Sequence, residues 1–271
     1  MPVGEYRELV VQLHAKKQLG QHFLHDPAVI AKIIAAIAPQ PGDPIIEIGG
    51  GLGALTFPLL EHVDELHVIE LDDRLADTLE RDRPRDGGRL IVHRADALEF
   101  DFSHLRTQLG TLRVVGNLPY NISTPLLFHL LSQRKAIADM HLMVQREVAR
   151  RITAPPGIKD YGRLTIMLAA WLDTEFCFDV GPGAFNPPPR VWSTVLRLTP
   201  RARARFEIVD EVQFADLVRR AFSMRRKTLG RALSGMLTRD QIRSVGIDPM
   251  ARAETLEPGQ FAELANLLVA S

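Results

Sequence analysis

A single cysteine, Cys177, in 271 residues excludes an internal disulfide and any metal site built from several thiolates. Long apolar runs are missing too. The longest, such as TIMLAAWL, are far too short to span a bilayer, and the N-terminal MPVGEYRELVVQLHAKK carries charges where the apolar part of a signal peptide would lie. The nine histidines show no metal-ligand spacing, and there is no internal repeat or low-complexity tract. Net charge is absent as well, with 33 basic residues against 33 acidic ones. What remains is an ordinary globular balance, 46% hydrophobic and 24% charged, in a chain long enough for one large domain and one small one. The reading is a soluble cytoplasmic protein with no metal and no membrane partner, and nothing demands more than a monomer.

The zero net charge hides a dipole. Residues 41–110 hold 15 acids and 7 bases, whereas residues 190–231 hold 11 bases and 4 acids. A basic segment of that kind suits a polyanion, although many helices merely carry solvated arginines.

From about 44 to 145, short β-branched or apolar runs (PIIEIG, ELHVIEL, RLIVHRA, LRVVG, MHLMVQ) alternate with helix-like segments. Such alternation predicts βαβ units and a parallel sheet covered by helices. Asp26-Pro27 starts a helix through DPAVIAKIIAAIA, and Ser123-Thr124-Pro125 starts another. TEFCFDV and STVLRLT add two strands, joined by GPGAFNPPPR, so seven strands are expected in one doubly wound sheet. After residue 199 no strand pattern remains. RARARF reads as a linker, and amphipathic helices follow near 210–224, 226–236, 238–244 and 258–269, an all-helical second domain.

Glu47-Ile48-Gly49-Gly50-Gly51-Leu52-Gly53 lies between the first of these strands and a helix. Glycines let a backbone turn tightly and bring its N–H groups close to a ligand. Gly49-x-Gly51-x-x-Ala54 also satisfies a loose dinucleotide fingerprint, so the loop alone does not choose a cofactor. Glu70 ends the second strand, where a carboxylate grips ribose hydroxyls, and Asp96 ends the third, where one could accept from an adenine amine. Together these acids describe a nucleoside site at the carboxyl edge of the sheet.

Asn117-Leu118-Pro119-Tyr120 ends the fourth strand and faces the same crevice. The exocyclic nitrogen of adenine is a poor nucleophile because its lone pair is conjugated into the ring. An amide oxygen from Asn117 and the Leu118 carbonyl, accepting its two N–H groups, would favour a pyramidal nitrogen with the pair free. Pro119 biases Leu118 away from helical backbone and so aims that carbonyl. Tyr120 offers a face for a flipped-out base, worth about 1–3 kcal/mol.

Asn-Leu-Pro-Tyr is similar to the [N/D/S]-P-P-[Y/F] motif of adenine-N6 methyltransferases, in the form used by ribosomal RNA adenine dimethyltransferases. Nearly the whole chain resembles the bacterial small-subunit branch, the KsgA family. The resemblance runs through KKQLGQHFLHD, EIGGGLGALT, VIELD, ADAL, GNLPYNISTPLLFHLL, YGRLT, AFNPPPRVWS, FSMRRKTLGRAL and GIDPMARAETL. It implies a Rossmann-like class I methyltransferase domain with a seven-stranded sheet over residues 1–200, and a small all-helical RNA-binding domain over 201–271.

The resemblance also implies S-adenosyl-L-methionine as cofactor and S-adenosyl-L-homocysteine as product. The contacts implied are His22 and Leu24 of the QHFL segment, Gly49, Gly51, Glu70, Asp96, Ala97 and Asn117. The target adenine would be held by Asn117, Leu118, Pro119 and Tyr120, with Phe185 as second stacking partner. Arg225, Arg226 and Lys227, read as the start of a helix, would grip 16S ribosomal RNA in the assembling small subunit, with Lys16 and Lys17 bordering that track. The substrate implied is a pair of adjacent adenines in the 3′-terminal hairpin loop. Two positions depart from the family pattern: His22 replaces Asn, and Gly50 replaces Pro, which is expected to make the loop more flexible. Three rivals stand beside this reading: the sister group acting on large-subunit RNA, a non-catalytic assembly factor, and a nicotinamide-dependent oxidoreductase.

Overall fold

Asp26 and Pro27 open a helix as their chemistry requires. Asp26 stays extended (φ −75°, ψ 114°), and its carboxylate accepts from the Ala28 and Val29 N–H groups at 2.8 and 3.1 Å. Pro27 fills the first helical position, where no N–H is needed. The structure is a computed structural model and describes residues 21–85, 87–224 and 226–269. Its strands are β1 (Phe23–Leu24), β2 (Ile45–Ile48), β3 (Glu65–Glu70), β4 (Arg89–Arg94), β5 (Leu112–Asn117), β6 (Ile137–Gln145), β7 (Leu172–Val180), β8 (Phe185–Asn186) and β9 (Ser193–Pro200). The helices are α1 (Pro27–Ile37), α2 (Thr56–Leu60), α3 (Asp73–Asp82), α4 (Phe102–Leu109), α5 (Ser123–Ser132), α6 (Arg146–Ile152), α7 (Arg163–Trp171), α8 (Glu211–Ser223), α9 (Leu229–Ala232), α10 (Arg239–Ser244) and α11 (Pro258–Val269).

The seven runs expected as strands pair in one sheet, in the order β4-β3-β2-β5-β6-β9-β7. β2 lies parallel between β3 and β5; β4 extends one side and β6 the other, both parallel, and β9 then runs antiparallel to β6. The strand order therefore reverses between β2 and β5, and open sheets of this kind bind ligands at the carboxyl ends beside such a switch. All four β2 residues are buried, as a central parallel strand covered on both faces must be, yet one of them is Glu47. Ile33 and Ile37 of α1 pack with Leu59, Leu66, Val68, Leu79, Val115 and Met143 in the core around the sheet. A two-residue ladder of β1 with β8, which no sequence pattern marks, pairs Phe23 with Asn186 and Leu24 with Phe185.

The chain forms two compact units, one holding the described residues up to Val148 together with Glu175–Pro200, the other Ala149–Thr174 with the residues from Arg201 onward. In the second unit Phe214, Leu217 and Val218 of α8 are buried, as are Phe261 and Leu264 of α11. The Tyr161 hydroxyl donates to the Leu256 carbonyl at 2.6 Å, and its ring meets Phe222 edge-on. The RARARF stretch is no loose tether. The Arg201 and Arg205 N–H groups donate to the Trp171 and Ala170 carbonyls at 2.8 Å, and both guanidinium groups bind Asp173.

Phe222–Thr228 also differs from expectation. α8 ends at Ser223, the Lys227 N–H closes a turn onto the Met224 carbonyl at 2.8 Å, and Arg226 and Lys227 sit exposed in the loop before α9. The cations follow one helix and do not begin the next. Among the described residues no helix is long and apolar enough to cross a membrane.

Candidate active site

Four parallel strands end on one crevice. Its wall is built from Gly49 to Gly51 after β2, Glu70 at the end of β3, Asp96 and Ala97 after β4, and Asn117 to Tyr120 at and beyond the end of β5. His22 and Leu24, from the segment before α1, close another side. The parallel topology makes this convergence necessary, because every strand of a βαβ series delivers its carboxyl end to the same edge.

The glycine loop is held from below. Gly49 (φ 76°) donates its N–H to the Ile69 carbonyl at 2.8 Å, and Gly51 (φ 57°) donates to Glu70 Oε2 at 3.0 Å. Both positions need the left-handed backbone that glycine adopts without steric cost. Glu70 Oε1 accepts from the Asp72 N–H at 3.0 Å. Burial pushes the Glu70 carboxyl above its ordinary value, and the backbone hydrogen bonds from Asp72 and Gly51 oppose that shift. Asp96 Oδ1 accepts from the Leu98 N–H at 2.8 Å, which fixes its carboxylate at the crevice wall.

Asn117 is oriented by a long-range contact: its Nδ2 donates to the His22 carbonyl oxygen at 3.1 Å. With the nitrogen committed, Oδ1 is the acceptor left to the crevice. Leu118 is buried, and its N–H donates to the Met143 carbonyl at 3.0 Å. The Pro119 carbonyl accepts from Ser123 Oγ at 2.9 Å, tying the turn to the start of α5. The Tyr120 hydroxyl and Ser193 Oγ share a hydrogen bond of 2.6 Å; burial raises the phenol above its ordinary value and this bond opposes the shift. The His22 ring lies beside Tyr120, centroids 5.2 Å apart, and His22 Nδ1 is 2.7 Å from the Pro187 carbonyl.

One expected site residue stands elsewhere. Phe185 is 2% exposed, packs in the core with Leu24, Val180 and Val195, and does not line the crevice. Its pairing with Leu24 turns the ring inward, so the aromatic neighbour of Tyr120 is His22 and not Phe185. Lys16, Lys17 and Arg225 lie outside the described residues. Gly50 is buried, and a Cβ there would fall 2.6 Å from Val68 Cγ1 and 2.8 Å from Leu79 Cδ1. Close packing, not flexibility, is what the small residue provides.

Leu71 and Glu47 line the crevice without having been given a role from the sequence. Leu71 is 54% exposed at the crevice, an apolar surface beside Glu70. Glu47 is buried at its floor and accepts from Thr56 Oγ1 at 2.6 Å. Burial pushes its carboxyl up to about 8, the Thr56 bond opposes this, and the Glu70 charge adds to it. Its place inside an otherwise apolar β2 was the available signal.

The model of one family, ribosomal RNA adenine dimethylase, matches residues 12–270. A ribosomal RNA small subunit methyltransferase A from Acinetobacter baylyi is 52% identical over 255 residues, 94% of this chain and 93% of the relative. Its counterpart in Hydrogenovibrio crunogenus is 48% identical over 255 residues, 93% of this chain and 96% of the relative. Among solved structures, a dimethyladenosine transferase from Plasmodium falciparum superposes with TM-score 0.74 at 26% identity, covering 90% of this chain and 96% of its own. The 23S rRNA methyltransferase ErmE superposes with TM-score 0.68, also at 26% identity, over 91% of this chain and 99% of its own.

Proposed function

The chain belongs to the ribosomal RNA adenine dimethylase family, and from that premise we propose that it dimethylates N6 of two adjacent adenines in the 3′-terminal hairpin loop of 16S ribosomal RNA. The methyl donor is S-adenosyl-L-methionine, and the acceptor is the small subunit during its assembly. Identity of about half the residues with small-subunit enzymes over nearly the full length favours that substrate over large-subunit RNA. The observation that carries the reading is Asn117, held through its Nδ2 by His22 so that its oxygen serves the crevice beside Tyr120.

The residues present suit the donor. Gly49 and Gly51 form a cradle that a side chain would strain, the buried Glu70 is an acceptor suited to ribose hydroxyls, and Asp96 is an acceptor suited to an adenine amine. Leu71 adds an apolar surface for a purine face. S-adenosyl-L-methionine supplies a methyl group made electrophilic by its positively charged sulfur.

The chain's own part is to prepare the nucleophile. Asn117 Oδ1 and the Leu118 carbonyl accept the two N–H groups of the target amine and favour the pyramidal nitrogen whose lone pair is free to attack. The same acceptors stabilise the positive charge that develops on that nitrogen. Tyr120, anchored through its hydroxyl on Ser193, gives the extruded base a ring to stack on. The nitrogen loses its proton readily once positive, so no side chain has to remove it beforehand.

The test is transfer of labelled methyl into small subunits from cells lacking the modification, with naked RNA, large subunits and DNA as controls. Digestion is expected to give N6,N6-dimethyladenosine from small-subunit RNA alone. Tight subunit binding without label would replace the reading by an assembly factor, and label in large subunits would move it to the sister group.

A further inference from the structure

Residues 187–193 begin and end on contacts to two residues that line the crevice. The Pro187 carbonyl is bound by the His22 ring, and Ser193 is bound by the Tyr120 hydroxyl. Between them lie Arg190, Val191 and Trp192, all exposed. Trp192 is half exposed although its setting is built with care. The six-membered part of its indole lies over Gly181, where a Cβ would come 3.6 Å from the ring. The Arg146 guanidinium carbon sits 6.0 Å from the ring centroid, and the Arg146 N–H donates to the Trp192 carbonyl at 2.9 Å. Arg146 is placed by Asp179, 3.4 Å from its Nε, and Asp179 in turn accepts from Thr194 Oγ1 at 2.6 Å.

A large aromatic ring left half exposed keeps apolar surface available to a partner. The surroundings narrow the occupant. Arg146 lies 6.0 Å from the ring centroid, Arg190 stands two residues earlier in the same exposed stretch, and the next residue, Ser193, binds the hydroxyl of Tyr120, on which the target base would stack. We propose that Trp192 is a second stacking platform, for a nucleotide base of the substrate RNA next to the target adenine, with Arg146 and Arg190 meeting the phosphates around it. The inference rests on the ribosomal RNA reading above. Stacking on an aromatic face tolerates any base, which suits a contact that holds the strand without reading it, and arginine supplies phosphate contacts. The platform therefore serves substrate binding and leaves the methyl-transfer step alone.

The experiment compares the unaltered protein with Trp192→Ala, Trp192→Leu and Trp192→Phe, using unmethylated small subunits and labelled donor. Trp192→Ala is expected to raise KM for subunits about tenfold with kcat within about twofold, and Trp192→Phe to restore most of the loss. Trp192→Leu, which keeps apolar bulk without a π-face, should behave like Ala. Protection by S-adenosyl-L-homocysteine against heat should be equal in all four, and the salt dependence of KM should keep its slope, since no charge is removed. An unchanged KM in Trp192→Ala would overturn the platform and leave the family activity standing. Leu rescuing as well as Phe would mean that the ring meets an apolar protein surface instead of a base, and would decide the matter even if the Ala variant folded poorly. Absence of label from the unaltered protein would remove the ribosomal RNA reading and the platform together.

Discussion

The side-chain nitrogen of Asn117 donates to the backbone carbonyl of His22, 95 residues earlier in the chain, at 3.1 Å. One hydrogen bond thus joins the end of β5 to the segment before α1 and decides which end of the amide serves the crevice. His22 contributes its carbonyl here, its ring beside Tyr120, and its Nδ1 at the Pro187 carbonyl. The orientation of Asn117 depends on backbone at position 22, so His22→Asn should preserve it.

Asn117→Ala removes the acceptor proposed for the target amine and leaves the glycine loop, Glu70 and Asp96 in place. Turnover should fall about 10²–10³-fold, the loss seen when one such transition-state acceptor or donor is deleted. Stabilisation by S-adenosyl-L-homocysteine in a thermal melt should largely survive. A rate equal to that of the unaltered protein would remove Asn117 from the chemistry.

Glu47 makes stability depend on pH. Its folded carboxyl, pushed up to about 8 from 4.5, holds its proton more tightly than the same group in the unfolded chain. That stabilisation is fully present below about pH 4.5 and is lost as pH rises towards 8. Glu47→Gln keeps an acceptor for Thr56 and removes the titration. Urea midpoints measured from pH 5 to 8.5 should therefore decline less steeply in the variant, with the gap between the two proteins widening towards the alkaline end. Parallel curves would place the proton elsewhere.

Gly50→Pro, which installs the residue usual in the family, should destabilise this chain. New atoms would meet Val68 and Leu79 at distances no carbon tolerates, and overpacking of this kind costs about 1–3 kcal/mol. Combining Gly50→Pro with Val68→Ala and Leu79→Ala should recover part of the overpacking cost in a thermodynamic cycle, although the double truncation is itself destabilising. Additive effects would show that the contact with those side chains is not the cause.

Arg226 and Lys227, exposed in the loop after α8, are expected to meet phosphates. Changing both to Ala should weaken subunit binding and flatten the plot of log affinity against log salt by about one unit per lost contact. An unchanged slope would mean that the loop is merely solvated.

The regular part of the fold was legible in the chain because it rests on local chemistry. Apolar runs of strand length separated by helical spacing admit little besides a parallel sheet with crossing helices, and that topology carries Gly49, Glu70, Asp96 and Asn117 to one edge. The motif Asn-Leu-Pro-Tyr pointed to adenine-amine chemistry because Pro restricts its neighbour and an amide and an aromatic ring stand together at the end of a strand.

Tertiary structure decided what depends on distant partners. Phe185 turns inward because β8 pairs with β1, and two residues are too few for alternation to reveal which face is buried. The cations after α8 lie in a loop because Met224 and Lys227 close a turn there. Glu47 is charged or neutral according to the depth at which the sheet buries it. His22 came to face Tyr120, and Trp192 came to rest on Gly181, only once segments remote in sequence were packed together. Pattern reports the period of one segment; which faces meet, and what protons they then hold, follows from burial shared between many.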